Sequence, residues 1–172
     1  MKISQPHASE YGHFYRGYIE QVGESDVRKL LSEQLEAYEQ LIARISMDAM
    51  NYAYAEGKWT VAEVLGHMND TERLMSYRLL RFSRRDKTVL PGFDENDYVT
   101  YGDFKRIPKE SFLEEFIHLR KANLLMIDRL SGEQYALTGE SNGIIFSVRA
   151  LIYILAGHLK HHMNILVERY KL

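Results

Sequence analysis

Apolar residues recur at three- and four-residue intervals in four segments of the chain, a spacing that predicts four amphipathic helices. The predicted helices cover residues 25–45, 60–85, 108–131 and 147–170. The three prolines lie outside these helices or at a helix start, so none of them interrupts helical hydrogen bonding. Four helices of this length predict an all-α fold, a four-helix bundle.

Capping residues mark the predicted starts of the helices. Ser25 and Ser147 are the predicted N-caps of the first and fourth helices. Thr60 and Glu63 form a capping box that opens the second helix. The third helix opens at residues 108–111, where a proline and a serine stand together with helix-forming residues.

Two connections between the predicted helices are of interest. A long loop of about 20 residues, containing LPGFDENDYVTYGDF, joins the second and third helices, and such loops are often functional or partly structured. Phe93, Tyr98 and Tyr101 in this loop either form the wall of a substrate pocket or close the open end of the bundle. The stretch Gln134–Phe146 is predicted to be a loop or a small hairpin.

Length, charge and composition limit the classes of function. The 172 residues fit a single domain spanning 1–172, and the net charge of −2 gives no basic surface for nucleic acid. The chain has no cysteine, which excludes disulfides, thiolate ligands and a cysteine nucleophile. The longest apolar run, residues 150–156, is too short to span a bilayer, and the N-terminus lacks the apolar core of a secretory signal. We therefore expect a cytoplasmic protein with no membrane partner.

Two of the seven histidines share one face of the fourth helix. His158 and His162 are four residues apart, which brings their Cβ atoms to about 5–6 Å from each other. They lie in the sector of the apolar residues, whereas His161 lies on the side of Glu168 and is predicted to face solvent. An inward pair of histidines is more often a hydrogen-bonded part of the core than a metal site, so the pair alone leaves both interpretations open.

His67, on the inner flank of the second helix, is the candidate for a third ligand. Facing helices of a bundle build metal sites in the core from such positions. Three neutral histidines would bind a divalent cation and leave coordination positions open for water or substrate, which is typical of catalytic sites. On the residue pattern, His67 is a plausible partner of His158 and His162 in one open metal site, and the alternative of core histidines stays open.

The segment KWTVAEVLGHMNDTERLMSYRLLRFSRRD, followed by LPGFDENDYV, resembles the DinB superfamily. More narrowly, it is similar to the branch that includes the bacillithiol S-transferases and the mycothiol-dependent maleylpyruvate isomerase. The resemblance covers nearly the whole chain and rests on Trp59-Thr60, on His67 with Asp70 after it, and on the pair His158 and His162. It implies that the three histidines bind nickel or zinc, that the bundle has up-down-down-up order, and that the protein is a homodimer.

The same resemblance implies an enzyme that transfers a low-molecular-weight thiol to an electrophilic small molecule, with the metal holding the thiol as its anion. Hydrolysis at the same site, with water as the nucleophile, is the alternative reaction. A third hypothesis is a non-catalytic stress or interaction protein whose histidines or metal only stabilise the core.

Three charged side chains of the second helix are candidates for roles beside the metal. Asp70 could orient an imidazole or act as a base, and the alternative is a surface salt bridge to Arg73. Arg78 is the best placed of several arginines to bind the carboxylates of an anionic thiol cofactor. Its alternative role is that of a favourable cation near a helix C-terminus. Glu72, on the adjacent core side, is an outside candidate.

Overall fold

Six helices and one hairpin account for most of residues 2–172, which the computed structural model describes. The helices are α1 (Arg16–Val22), α2 (Val27–Arg44), α3 (Val61–Ser83), α4 (Glu95–Tyr101), α5 (Lys109–Asp128) and α6 (Val148–Glu168). Strands β1 (Thr138–Ser141) and β2 (Ile144–Ser147) form the hairpin just before α6. None of the described helices is both long enough and apolar enough to cross a membrane.

The four long helices, α2, α3, α5 and α6, form the bundle. α2 and α3 each pack on α5 and α6, so the ring order is α2, α5, α3, α6. The starts of α2 and α6 share one apolar cluster with the ends of α3 and α5, and the opposite ends of the helices share a second cluster. α2 and α6 therefore run one way and α3 and α5 the other. The predicted four-helix bundle with up-down-down-up order is confirmed.

A cluster of buried polar side chains lies between these two apolar clusters. Arg120 on α5 is fully buried and donates to both carboxylate oxygens of Glu72 on α3, over 2.8 and 2.9 Å. It also donates to Gln34 Oε1 on α2 and to the Leu155 carbonyl oxygen on α6, over 2.8 and 3.2 Å. Gln34 in turn donates to the Ala156 carbonyl oxygen. This ion-pair cluster therefore joins all four long helices.

The capping residues predicted for α3 and α6 are confirmed. Thr60 Oγ1 accepts from the Glu63 backbone N–H, and the Glu63 carboxylate accepts from the Thr60 N–H over 2.7 Å. Ser147 Oγ accepts from the backbone N–H three residues further on. The cap predicted for α2 is wrong by one residue: Asp26, not Ser25, is the N-cap, because its carboxylate accepts from two backbone N–H groups.

Both long connections contain regular structure. The link between α3 and α5, predicted as a loop, includes α4 and a short turn of 3-10 helix at Phe104–Arg106. Of the two alternatives for the later connection, the hairpin is the one that forms. Asn142 and Gly143 at its tip have φ values of 53° and 72°. A tight two-residue hairpin turn requires positive φ at both positions.

The N-terminal segment makes a long-range contact with α6 that the sequence pattern did not predict. α1 packs on α6 through its buried residues Ile19 and Val22. Gly157 permits this approach, because a Cβ atom at that position would lie 2.1 Å from the Tyr18 carbonyl oxygen. α1 therefore lies directly over the part of α6 that carries the histidines.

Candidate metal centre

Three histidines from two helices meet inside the bundle. His67 extends from α3, and His158 and His162 extend from α6. Their ring centroids are separated by 4.9, 4.8 and 4.5 Å, and their candidate ligand nitrogens all lie within 4.8 Å of one another. No second group of metal-ligating side chains of this kind occurs in residues 2–172. The structure thus brings together the three ligands that the sequence predicts.

The spacing and chemistry of these nitrogens fit a divalent transition metal. The Nε2 atoms of His67 and His158 are 2.9 Å apart. Two imidazoles bound to one ion at about 2.0–2.1 Å have nitrogens about 3.0–3.4 Å apart, so only a small adjustment is needed. Imidazole ligands suit zinc, nickel, copper and iron better than magnesium or calcium.

Burial keeps the three imidazoles in the form that binds metal. Their exposed fractions are 9% for His67, 6% for His158 and 8% for His162. Burial, with a smaller contribution from His161, lowers the pKa of His67 to about 4. Burial and the neighbouring histidines also lower the pKa of His158 and of His162 well below the ordinary value. All three rings are therefore neutral near pH 7, with a lone pair free for a cation.

Aromatic rings enclose the histidines on two sides. The Trp59 ring lies 4.8 Å from the ring of His67, and the Tyr18 ring lies 5.4 Å from the ring of His158. Trp59 is the residue just before the cap of α3, so the capping box fixes its position. Tyr18 belongs to α1, which is too short to show a periodic pattern, and for that reason no signal in the sequence pointed to it.

The prediction that His161 faces solvent is wrong. His161 is half-buried, its ring lies 5.3 Å from the ring of Tyr18, and its Nδ1 is 3.3 Å from the side-chain nitrogen of Gln21. His161 does lie on a different side of α6 from His158 and His162, as predicted. The error arises because α1, which was not predicted, covers that side of α6.

The ion-pair cluster fixes the turn of α6 that precedes the site. Arg120 and Gln34 donate to the carbonyl oxygens of residues 155 and 156, immediately before His158. Glu72, the outside candidate, accepts hydrogen bonds from Arg120 and Asn123 and does not line the cavity beside the histidines. Glu72 therefore stabilises the bundle and is not part of the candidate metal centre.

A cavity of about 330 Å³ opens beside the three histidines. One wall is a stripe along α3 made of His67, Thr71, Met75 and Arg78. Residues 14–18, near and within α1, cover the cavity, and residues 92–95 and the tip of the hairpin close its far end. Five Phe, Tyr and Trp side chains contribute to the wall, so the cavity suits a small, partly apolar molecule.

Thr71 is a cavity residue that the sequence analysis did not select. It is buried, and its Oγ1 has no hydrogen-bond partner among the described residues. A helical signal was available, because Thr71 follows His67 by four residues and therefore shares its face. A buried hydroxyl without a partner is costly, which favours a bound water or ligand at this point.

Asp70 is not brought into the cavity. Its side chain is half-buried, and burial raises its pKa, while Arg73 opposes and Glu115 supports the shift. The alternative of a salt bridge to Arg73 does not form either, because Arg73 pairs with Glu115 across the α3–α5 contact. The catalytic role of Asp70 stays a prediction.

Arg78 lies inside the cavity wall and is only 5% exposed. Its guanidinium carbon is 5.8 Å from the ring centroids of both Phe93 and Phe146. Of the three aromatic residues considered for the pocket, Phe93 lines the main cavity and Tyr98 lines a smaller adjoining one of about 100 Å³. Tyr101 is 84% exposed and lines neither of these cavities.

Comparison with known families identifies the fold. The sequence profile of the DinB superfamily matches residues 30–166, which include all four long helices almost completely and all three histidines. The chain belongs to the DinB superfamily. The resemblance drawn from the sequence is therefore confirmed for the family.

Two curated relatives of this DinB protein have names that state an activity. One, from Geobacillus thermodenitrificans, is 26% identical over 134 residues, covering 77% of this chain and 75% of the relative. The other, from Oceanobacillus iheyensis, is 24% identical over 150 residues, covering 84% and 85%. Each carries the name "Putative metal-dependent hydrolase".

A solved structure shares the fold of this DinB protein. YfiT from Bacillus subtilis superimposes with a TM-score of 0.78 at 16% sequence identity, over 98% of this chain and 92% of the other. It is described as "a probable metal-dependent hydrolase with an unusual four-helix bundle topology". At this identity the likeness establishes the architecture and nothing finer.

Proposed function

We propose that this DinB protein is a metal-dependent hydrolase of small molecules. The observation that carries the proposal is the wall of the 330 Å³ cavity, where three buried, neutral imidazoles converge. A structural metal site is normally closed by a fourth protein ligand, and within residues 2–172 no fourth histidine or carboxylate joins this group. The names of the two curated relatives support hydrolysis in particular.

His67, His158 and His162 would hold the cation, and we propose zinc or nickel, which both suit imidazole ligands. A divalent ion bound by neutral ligands keeps its full charge and supplies Lewis-acid activation of water or of a substrate carbonyl. The contribution of the chain is to hold α3 and α6 at the spacing that brings the three nitrogens together.

Other cavity residues shape what reaches the imidazoles. The rings of Trp59 and Tyr18 cover His67 and His158 and limit the access of bulk water. The unpartnered Thr71 hydroxyl lies one turn after His67 and can donate to, or accept from, a water or a substrate oxygen. Asp70 remains a candidate base, and Asp70→Asn is the variant that tests it.

Thiol transfer is the reaction that the family branch implied, and the names of the relatives do not support it. A divalent cation at this site would nevertheless bind a thiolate as well as water, because both are ligands of such a cation. Each preparation should therefore be assayed with a thiol and a generic electrophile as well as with hydrolysable substrates.

Metal content and hydrolysis test the proposal together. Protein purified without chelators should contain about one zinc or nickel ion per chain. It should hydrolyse members of a panel of small esters and amides that begins with 4-nitrophenyl acetate. His67→Ala, His158→Ala and His162→Ala should each lose the metal and lower turnover by more than about 100-fold. His118→Ala, a change of an exposed histidine on α5, is the matched control and should change neither quantity.

Two results would contradict the proposal of a metal-dependent hydrolase. Turnover that survives all three alanine variants would exclude the metal site from the reaction. A large loss of melting temperature on chelation, without turnover in either panel, would instead favour a non-catalytic protein. The homodimer stays a prediction, which sedimentation of the metal-loaded protein would check.

A further inference from the structure

The cavity contains a positive charge that the chain itself does not neutralise. Arg78 is almost completely buried. No carboxylate in residues 2–172 forms an ion pair with its guanidinium. Its one hydrogen bond is a long contact from Nη1 to Met75 Sδ, 3.7 Å, and thioether sulfur is a weak acceptor. Arg120, the other arginine buried to this degree, has a bidentate carboxylate partner. An unpaired buried charge is costly unless a ligand or water pairs with it.

The guanidinium is held in place but its N–H groups remain available. Phe93 and Phe146 lie on it at 5.8 Å, within the range of a cation–π contact. Apart from the contact of Nη1 with Met75, the guanidinium N–H groups have no hydrogen-bond partner among residues 2–172. Those N–H groups form a rigid fork that matches the two oxygens of a carboxylate.

The position of Arg78 relative to the histidines sets the size of the ligand. Side chains on a helix lean toward its N-terminus, so the Arg78 side chain leans back toward His67, in agreement with its contact to Met75. His67 and Met75 are eight residues apart, or about 12 Å along the helix axis. Thr71, with its unpartnered hydroxyl, lies between them on the same wall.

Glu95 is the acidic residue of the cavity wall and limits what the ligand can be. It is half-buried on α4 and makes no ion pair with Arg78. Burial raises the pKa of Tyr18, and the charge of Glu95 adds a smaller contribution, which places Glu95 near that ring. A carboxylate near Glu95 would be repelled, whereas one at Arg78 would be attracted. The wall therefore favours a ligand with a single acidic group, oriented toward the end of α3.

We propose that Arg78 selects organic acids as substrates of this site. The carboxylate pairs with Arg78, an apolar or aromatic body lies along Met75 and the aromatic walls, and the ester or amide bond to be split lies near the three histidines. Hydrolysis adds water across that bond and gives a second carboxylic acid and an alcohol or an amine. The reaction rests on the proposed function, but the binding of the acid does not.

Two probes of equal shape test the selection. 3-Phenylpropionate and its neutral amide, 3-phenylpropionamide, are titrated into the full chain by amide NMR at pH 8, both zinc-loaded and metal-free, with folding checked by circular dichroism. Metal-free wild type should bind the acid at least about 10-fold more tightly than the amide. Arg78→Gln should abolish that preference, and Arg78→Lys should keep part of it.

Arg84→Gln, which removes an exposed arginine at the end of α3, is the matched control and should keep the preference. Equal binding of the two probes by wild type, or a preference that survives in Arg78→Gln, would overturn the inference. If Arg78→Gln does not fold, an undiminished preference in Arg78→Lys overturns it instead. If the preference depends on Arg78 but no substrate is hydrolysed, the inference about Arg78 is supported and the proposed hydrolase activity is contradicted. If substrates are hydrolysed but the acid is not preferred, the hydrolase activity is supported and the inference about Arg78 is contradicted.

Discussion

Two groups of buried polar side chains lie in the same bundle, and they differ in how their hydrogen bonds are satisfied. In the ion-pair cluster, all three guanidinium nitrogens of Arg120 donate to oxygens of the chain, and both oxygens of Glu72 accept. Beside the cavity, His67 Nε2 is 2.9 Å from His158 Nε2, and Thr71 Oγ1 has no hydrogen-bond partner among residues 2–172. The hydrogen bonds of the first group are satisfied within the chain, whereas those of the second are only partly satisfied among residues 2–172.

Burial alone does not distinguish the two groups, whereas their hydrogen bonding does. Glu72 is more deeply buried than His67, yet its network is closed by Arg120 and Asn123. A closed network rigidifies the bundle, because every polar group in it is fixed by another. A buried polar atom without a partner is destabilising on its own, and where it lines a cavity, as Thr71 Oγ1 does, it favours a bound ligand.

The largest effect on stability is expected when one partner of the ion-pair cluster is removed. Arg120→Met leaves the Glu72 carboxylate buried with only Asn123 as a donor. Breaking a buried ion pair in this way costs about 3–5 kcal/mol. We expect the free energy of unfolding, measured with urea on metal-free protein, to fall by that amount.

The chain offers a matched control for this variant. Arg73 and Glu115 form a pair near the protein surface, across the same two helices, α3 and α5. Exposed pairs contribute about 0–1 kcal/mol, so Arg73→Met should lower stability only slightly. Equal losses in the two variants would show that Arg120 is no more important than a surface residue. The double variant Glu72→Leu with Arg120→Met should recover much of the loss.

The sequence predicts the two groups unequally for a physical reason. Three- and four-residue spacing determines which side of a helix a residue faces, and this was enough to place His158, His162 and His67 on inward faces. The partners of Arg120 lie on three other helices, and their pairing depends on the register of the bundle, which no single helix encodes. The ion-pair cluster was therefore not predicted.

The sequence predicts the side of the cavity that the long helices provide and, as one of two alternatives, the wall at Phe93. The stripe from His67 to Arg78 follows from helical spacing, and Thr71 could have been added to it. Tyr18 could not, because α1 has seven residues and its position depends on the space left by Gly157. The walls that come from short elements and turns are set by tertiary contacts.

The histidines beside the cavity should make the free energy of unfolding depend on pH. Burial, assisted by His161, holds the pKa of His67 at about 4 in the folded chain, against 6.5 in the unfolded chain. The unfolded chain therefore binds more protons between these values, and the stability contributed by a neutral His67 is lost as the pH falls. Metal-free protein should lose about 2 kcal/mol between pH 7 and pH 5 from this residue alone.

His67→Asn should remove that part of the pH dependence, and the exposed His118→Asn should keep it. Urea unfolding at pH 7 and pH 5 gives the comparison. An identical loss in wild type and in His67→Asn would mean that His67 titrates at its ordinary pKa in the folded chain. In the zinc-loaded protein the loss should be larger, because protons also displace the metal from the imidazoles.

The smallest expected effect concerns a single hydroxyl group. Thr71→Val keeps the shape of the side chain and removes an Oγ1 that has no partner among residues 2–172. The metal-free protein should be unchanged or more stable by up to about 1 kcal/mol. Thr60→Val removes a hydroxyl that caps the same helix and should cost about 1 kcal/mol. Equal destabilisation of both variants in urea would show that Thr71 Oγ1 has a hydrogen-bond partner in the chain. It would then be no more available to a ligand than the hydroxyl of Thr60.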